Sequence, residues 1–384
     1  MKDLRRITVT TGTRAEYGIL KPLLEKIDKS KKLELILIVC GMHLSEKHGK
    51  TISEIKKDGF KISKKIAMIP KGNTNFDMSI ELGKGIVGFS KAFKNLKPDL
   101  NVILGDRDEA LASALAAFHM NIPNAHISGG DKTKAGLDES IRHAITKISN
   151  VHFATTKKSK QRIIKMGENP KFVFYTGSPS IDMIYKQKII SKKDLEKKYK
   201  IKFSGNEILL IQHPVTTQSE KSNEQILTLL NAVINTKKTI FAIAPNSDAG
   251  NKEIFQNLEL FSKKFSKFYL FKNIKREDYL GFLKYSSLLV GNSSSGISEA
   301  AYFNTPVINI GIRQKDRETD SNVFHIENPT SFLIKKAINN KTKFKIKNST
   351  NHFIYGKGNS SLKICKILEE IKLDENLIQK QINY

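Results

Sequence analysis

Along the chain, short apolar runs rich in isoleucine, valine and leucine alternate with longer stretches in which apolar residues recur at helical spacing. A strand buried on both faces carries an unbroken apolar run, so this alternation predicts βα units wound around parallel sheets. In the first half, 7–11, 35–39, 100–104, 124–127 and 151–154 read as strands, with helical patterns at 17–28, 78–95 and 109–118. A second series follows a lysine-rich segment, with strands expected at 208–212, 239–245, 268–271, 288–291 and 307–310.

At 384 residues the chain is longer than one hydrophobic core usually serves. The two series divide near 177–188, where TGSPSIDMI gives way to a charged stretch. The expected domains are therefore 1–180 and 181–360, with the last helix and tail, 361–384, returning to complete the first. The fold class is α/β: two Rossmann-like domains facing a central cleft, the architecture of the B-type glycosyltransferases. That likeness of fold does not by itself give a function.

Open α/β sheets bind ligands beyond the carboxyl ends of their strands, so the loops after each predicted strand deserve inspection. In the first series they read GTRAEYG, GDRDE and SGGDKTKAGLDESIRH; in the second, HPVTT, NSDAG, NSSSGISE and GIRQKDRE. NSSSGISEA is a small-residue turn opening a helix. Ser293, Ser294, Ser295 and Gly296 are thereby expected to donate to a diphosphate at a positive helix end, with Glu299 accepting from ribose hydroxyls. Taken alone, the motif is equally well an ordinary serine-capped helix start. Arg14, Arg107 and Arg313 follow three different strands and suit a pyrophosphate, with His213 donating to the same group. Asp106, Asp131 and Asp138 are the acid/base candidates for a sugar ring. The spacing of Asp138 and Arg142 also fits an intrahelical ion pair. Asp106-Arg107-Asp108 matches a DxD pattern, but the tandem architecture argues against that metal-dependent chemistry.

Composition sharpens this picture. The formal charge is +27, supplied mainly by lysine in clusters such as 61–65, 157–160 and 192–198, without interleaved aromatics for stacking on bases. A solvated surface is the reading, with no specific nucleic acid as partner. Arginine is scarce and concentrates in the loops at Arg14, Arg107, Arg142, Arg313 and Arg317, where its planar fork suits phosphate and carboxylate. Two distant cysteines, Cys40 and Cys365, fit a reduced compartment, and the N-terminal apolar run is too short for a signal segment, so a cytoplasmic protein with no membrane insertion is expected. No GxGxxG follows the first strand, and neither GxxxxGK[ST] nor GxSxG occurs.

With these loops assembled, the chain resembles the hydrolysing UDP-N-acetylglucosamine 2-epimerases, in particular the branch that releases N-acetylmannosamine for sialic-acid-type sugars. The carriers are GTRAEYG, LGDRDEALA, HISGGD, DESIRHAITK, TGSPSID, HPVTT, PNSDAG, GNSSSGISEA and TPVINIGIRQKDRE, in that order, over about 9–325. The resemblance implies UDP contacts from Arg14, Arg107, His213, Asn246, Ser293, Ser294, Glu299 and Arg313, and acid/base work for Asp106 and Asp138. Arg142, Ser295 and Gly296 are counted with the binding set, and Asp131 and His213 with the catalytic set. The family often carries glutamate where this chain has Ser128, which leaves one catalytic role open to Asp131 or to a different substrate. The lysine of the non-hydrolysing relatives is replaced by Ile19. The expected reaction is elimination of UDP to a glycal followed by water addition, with Asp106 and Asp131 as the proton-transfer pair, one of them held protonated by the other's charge. No metal or other cofactor is expected. The expected partners are the UDP-sugar and further copies of the chain in a homo-oligomer, dimer or tetramer. Three alternatives stay open: the equivalent epimerase for a 2,4-diacetamido sugar of the bacillosamine type, a glycosyltransferase of the same architecture, and a nucleic-acid-binding protein.

Overall fold

The computed structural model describes residues 4–46, 49–69, 72, 74–132, 137–186, 189–246, 248–272, 274–340 and 353–384. They form two units, each with its own parallel sheet. The first unit comprises the chain up to Asp131, Asp138–Lys186 and Tyr355–Tyr384, and the second is built on Gln187–Ile354.

The first sheet holds β1 (Arg5–Thr11), β2 (Leu33–Cys40), β3 (Ile62–Ile66), β4 (Leu100–Leu104), β5 (Asn124–Ile127), β6 (Val151–Ala154) and β7 (Val173–Tyr175). Its order is β3-β2-β1-β4-β5-β6-β7, parallel throughout. The second holds β8 (Ile208–Ile211), β9 (Ile240–Ile243), β10 (Phe268–Phe271), β11 (Leu288–Gly291), β12 (Val307–Ile310) and β13 (Val323–Ile326), ordered β10-β9-β8-β11-β12-β13 and again all parallel. The ten expected strands are all present. Three more, β3, β7 and β13, lie at sheet edges, where one side is open and ISKKI or VFHI suffices in place of an apolar run.

The central strands are buried completely: every residue of β4, β5, β6, β8, β11 and β12 lies in the interior. Helices cover both faces, and the helix Ser360–Glu370 packs Ile364, Cys365 and Leu368 into the same core as Leu20, Leu23 and Ile27 of the helix Arg14–Asp28. Asn359 makes no side-chain cap there; Asp182 of the helix Pro179–Lys186 instead accepts from the backbone N–H groups of Ser360 (2.9 Å) and Ser361 (2.6 Å). A tertiary carboxylate thus satisfies orphan donors of that helix start. The tail is tied further by Lys380, whose ammonium donates to Glu168 at 2.6 Å, a carboxylate that also receives Lys147 (2.7 Å) and His152 (3.1 Å). Among the described residues, no helix is long and apolar enough to cross a membrane.

One glycine is demanded by close approach. Gly291 ends β11 at φ +135°, and a Cβ there would stand 1.9 Å from the carbonyl oxygen of Ile211 at the end of β8. Backbone atoms cannot yield as a side-chain tip can. Gly291→Ala is expected to cost roughly 3 kcal/mol of stability through overlap and strain, read from urea unfolding midpoints; a variant as stable as the parent would refute the close-approach argument.

Candidate active site

Each sheet reverses its winding once, between β1 and β4 in the first and between β8 and β11 in the second. At such a point the connections leave in opposite directions, and the carboxyl ends of the two strands open a crevice lined by loops. The loops at the first reversal carry Thr13, Arg14, Asp106 and Arg107; those at the second carry His213, Asn292, Ser293 and Ser294.

In the second unit a reciprocal amide pair stitches the reversal together. The backbone N–H of His213 donates to Asn292 Oδ1 at 2.7 Å, and Asn292 Nδ2 donates back to the His213 carbonyl at 2.8 Å. The backbone N–H of Asn246 donates to His213 Nδ1 at 3.2 Å, which leaves the ring proton of the neutral imidazole on Nε2. Arg313 Nη1 and Gln314 Nε2 both donate to the Asn292 carbonyl, at 3.2 and 3.3 Å. His213, Asn246, Asn292 and Arg313 are therefore brought together through bonds to one another.

The serine-rich turn differs from its expected form. The helix Ser294–Ser298 is five residues long, too short for a substantial macrodipole, so polar groups here must act as individual donors. Ser294 is exposed, whereas Ser293, Ser295 and Gly296 are buried. The Gly296 N–H is already given to the Ser293 carbonyl at 3.1 Å, and its missing side chain lets the turn lie against Val307 and Leu289. Gly296 thus serves packing in this turn. The Ser295 hydroxyl bonds Ser293 Oγ at 2.8 Å and the Tyr279 phenol. Glu299, at the end of the helix, is buried beside Arg276, with Oε1 to Nη2 at 2.8 Å.

In the first unit every expected arginine meets a carboxylate. Arg14 forms a two-pronged bond to Glu54, its Nε at 2.9 Å from Oε2. Arg107 Nε donates to Glu109 at 3.2 Å. Arg142, with its side chain 2% exposed, donates to the Asp106 carboxylate, to Glu139 at 2.9 Å and to the Asp131 backbone carbonyl at 3.0 Å. A guanidinium this buried and this occupied orients Asp106. On the helix Leu137–Lys147 it pairs with Glu139, three residues back. Asp138 lies half-buried in the first turn of that helix.

The Asp131 carboxylate is 3% exposed and accepts from Thr155 Oγ1 at 2.6 Å and Ser159 Oγ at 2.7 Å, beside the helix Lys157–Lys165. These bonds tie one oxygen of the carboxylate to the start of that helix. A repelling carboxyl pair occurs at Glu16 and Glu109, both buried, around Gly12. Gly12 donates its N–H to Glu16 Oε2 at 2.6 Å, while burial, and then the Glu109 charge, push the Glu16 carboxyl up to about 8. Neither residue was singled out from sequence, although both stand inside GTRAE and GDRDE immediately after strand ends. His126 was missed as well: fully buried, its Nε2 lies 2.7 Å from the Gly105 carbonyl, and burial pushes its pKa down to about 3, so a neutral ring donates to the turn that carries Asp106.

Two doubly wound parallel sheets, each collecting polar residues at its winding reversal, define an α/β protein of the Rossmann kind with a polar edge on each unit. The family model described as UDP-N-acetylglucosamine 2-epimerase matches residues 25–369, and the chain belongs to that family. It is 34% identical to a UDP-N,N'-diacetylbacillosamine 2-epimerase (hydrolyzing) of Legionella pneumophila, over 98% of this chain and 99% of that one. It is 39% identical to a GDP/UDP-N,N'-diacetylbacillosamine 2-epimerase (hydrolyzing) of Campylobacter jejuni, over 84% of each. It is 33% identical to a UDP-N-acetylglucosamine 2-epimerase of Neisseria meningitidis, over 85% of each. Among solved structures, the S. aureus MnaA–UDP co-structure superposes with a TM-score of 0.79 at 21% identity, over 99% of both chains, a likeness that establishes the fold.

Arg142→Met is expected to cost about 3 kcal/mol, since it strips the partner from a carboxylate and a buried carbonyl; an unchanged unfolding midpoint would contradict the clamp. Glu16→Gln probes the carboxyl pair. A carboxyl whose folded value rises from the usual 4.5 to about 8 favours folding fully below 4.5, and that contribution is lost as pH climbs through 8. The amide keeps the bond from Gly12 but cannot ionise, so the variant should lose less stability than the parent between pH 6 and 9. Parallel melting curves against pH for the two proteins would rule the pair out.

Proposed function

We propose that this chain is a hydrolysing 2-epimerase of a UDP-linked 2-acetamido sugar. The observation that carries the reading is the placing of Asp106 at the first winding reversal, its carboxylate oriented by the buried Arg142. Asp106 and Asp138 are the proton-transfer residues, and His213, Asn246, Ser293, Ser294, Glu299 and Arg313 hold the nucleotide. Arg14 and Arg107, kept in place by Glu54 and Glu109, add positive charge for the diphosphate.

The chemistry follows from the weak acidity of the sugar C2–H. A carboxylate takes that proton as the C1–oxygen bond breaks; the C–H electrons become the C1=C2 double bond, and UDP leaves with the bonding pair. Water then adds its oxygen to C1 and a proton to C2 on the opposite face, releasing the free epimerised sugar. Donors aimed at the leaving diphosphate stabilise the charge that grows in the transition state.

Two sugars fit this scheme. The family description and the Neisseria relative favour N-acetylglucosamine, giving N-acetylmannosamine for sialic-acid-type synthesis. The Legionella and Campylobacter relatives favour the 2,4-diacetamido sugar of the bacillosamine type. Ser128 bears on the second reading: it stands where the resemblance anticipates glutamate, in a left-handed conformation at φ +68° beside the Asp106 loop.

Purified enzyme incubated in deuterated water with each UDP-sugar separately, and followed by NMR, should release free sugar carrying deuterium at C2 from the preferred one. Protium retained at C2, or no free sugar without an added acceptor, would defeat the proposal. Asp106→Asn should lower turnover by at least about 100-fold while UDP still binds; a variant with parental turnover would remove Asp106 from the mechanism.

A further inference from the structure

Glu299 stands at the second winding reversal with its side chain 3% exposed. Its Oε1 lies 2.8 Å from Arg276 Nη2, while Oε2 is buried with no hydrogen-bond partner among the described residues. Arg276 is itself 12% exposed; its Nε likewise makes no hydrogen bond, and its Nη2 contact is an ion pair off hydrogen-bond geometry. The guanidinium rests on the Tyr279 ring, 5.4 Å from the centroid, and the Tyr279 phenol bonds Ser295 Oγ, which bonds Ser293 Oγ. Arg276 and Tyr279 sit one turn apart on the helix Arg276–Tyr285, facing the serine-rich turn.

We propose that Arg276 is a positioning residue that holds Glu299 as a buried double acceptor for the vicinal hydroxyls of ribose, making the second unit selective for ribonucleotide over deoxyribonucleotide. This deepens, and rests on, the reading that the unit binds the nucleotide of a UDP-sugar. A buried carboxylate oxygen without a donor is costly, and a diol supplies the missing donor. Neither charge would be stable so far from water without the other, so the ion pair fixes both side chains where they stand. Arginine suits the task better than lysine, because its plane stacks on Tyr279 while one edge meets Glu299. Burial, and then the Glu299 charge, push the Tyr279 phenol up, so it stays protonated and bonded to the turn. A ligand lacking one hydroxyl leaves an acceptor unpaired, which is where discrimination arises.

Calorimetric titration of the full chain with UDP and with 2'-deoxy-UDP tests this. The parent should prefer UDP by on the order of tenfold or more. In Arg276→Met that preference should fall to about twofold or less, with KM for the UDP-sugar rising by more than kcat falls, and Arg276→Lys should restore part of it. Glu299→Gln, which keeps size and shape, should lose the preference in the same way and serves if Arg276→Met does not fold. A parent that binds UDP, together with variants that keep its full preference for the ribose form, overturns the inference alone. A parent that binds neither nucleotide overturns the nucleotide reading and this inference with it.

Discussion

Strands buried on both faces have no room for chemistry along their length. In both sheets the central strands are buried from end to end. The few polar residues within them, such as Asn101, Asn124 and His126, are hydrogen-bonded in the interior, because an unpaired polar group there would carry a desolvation penalty comparable to a lost hydrogen bond. Polar side chains are driven to the strand ends, and the reversal of winding between β1 and β4, and between β8 and β11, opens those ends to a ligand. Asp106, Arg14, His213 and Ser294 stand where they do because of this exclusion.

The scarce arginines show what happens at those edges. Lysine covers the surface, but three arginines near the strand ends are fixed by carboxylates, Arg14 by Glu54, Arg107 by Glu109 and Arg276 by Glu299, while Arg313 donates to the Asn292 carbonyl. Arg142 goes further, joining Asp106, Glu139 and the Asp131 carbonyl through one buried fork. Such pairings add little net stability once desolvation is counted, but they hold both members in one orientation. Orientation is what the proposed proton transfer and diphosphate binding require.

Much of the fold was legible beforehand because burial on two faces writes itself into sequence as an apolar run. All ten strands read from such runs are present. The strands missed, β3, β7 and β13, are edge strands, where Lys64 and Lys65 face solvent and the run is broken. The loops that carry polar chemistry were legible for a related reason: a cluster of Arg, Asp, His and Ser directly after an apolar run has few purely structural explanations. Which member of a cluster faces ligand was not. Asp131 and Asp106 look alike in sequence, yet one is enclosed by Thr155 and Ser159 and the other is held by Arg142. Glu16, Glu109, His126 and Arg276 drew no notice, since a lone acid, histidine or arginine beside a motif carries no spacing that marks it.

By itself, the sequence determined the alternation of strand and helix, the existence of two sheets, the edge at which polar residues gather and the family to which the chain belongs, because each of these follows from local apolar pattern or contiguous motif. Tertiary structure alone decided which carboxyl is buried, which arginine clamps Asp106, and that Glu16 and Glu109 meet around Gly12. Those outcomes depend on side chains far apart in the chain meeting at separations of about 3 Å, and no local pattern encodes a meeting of that kind.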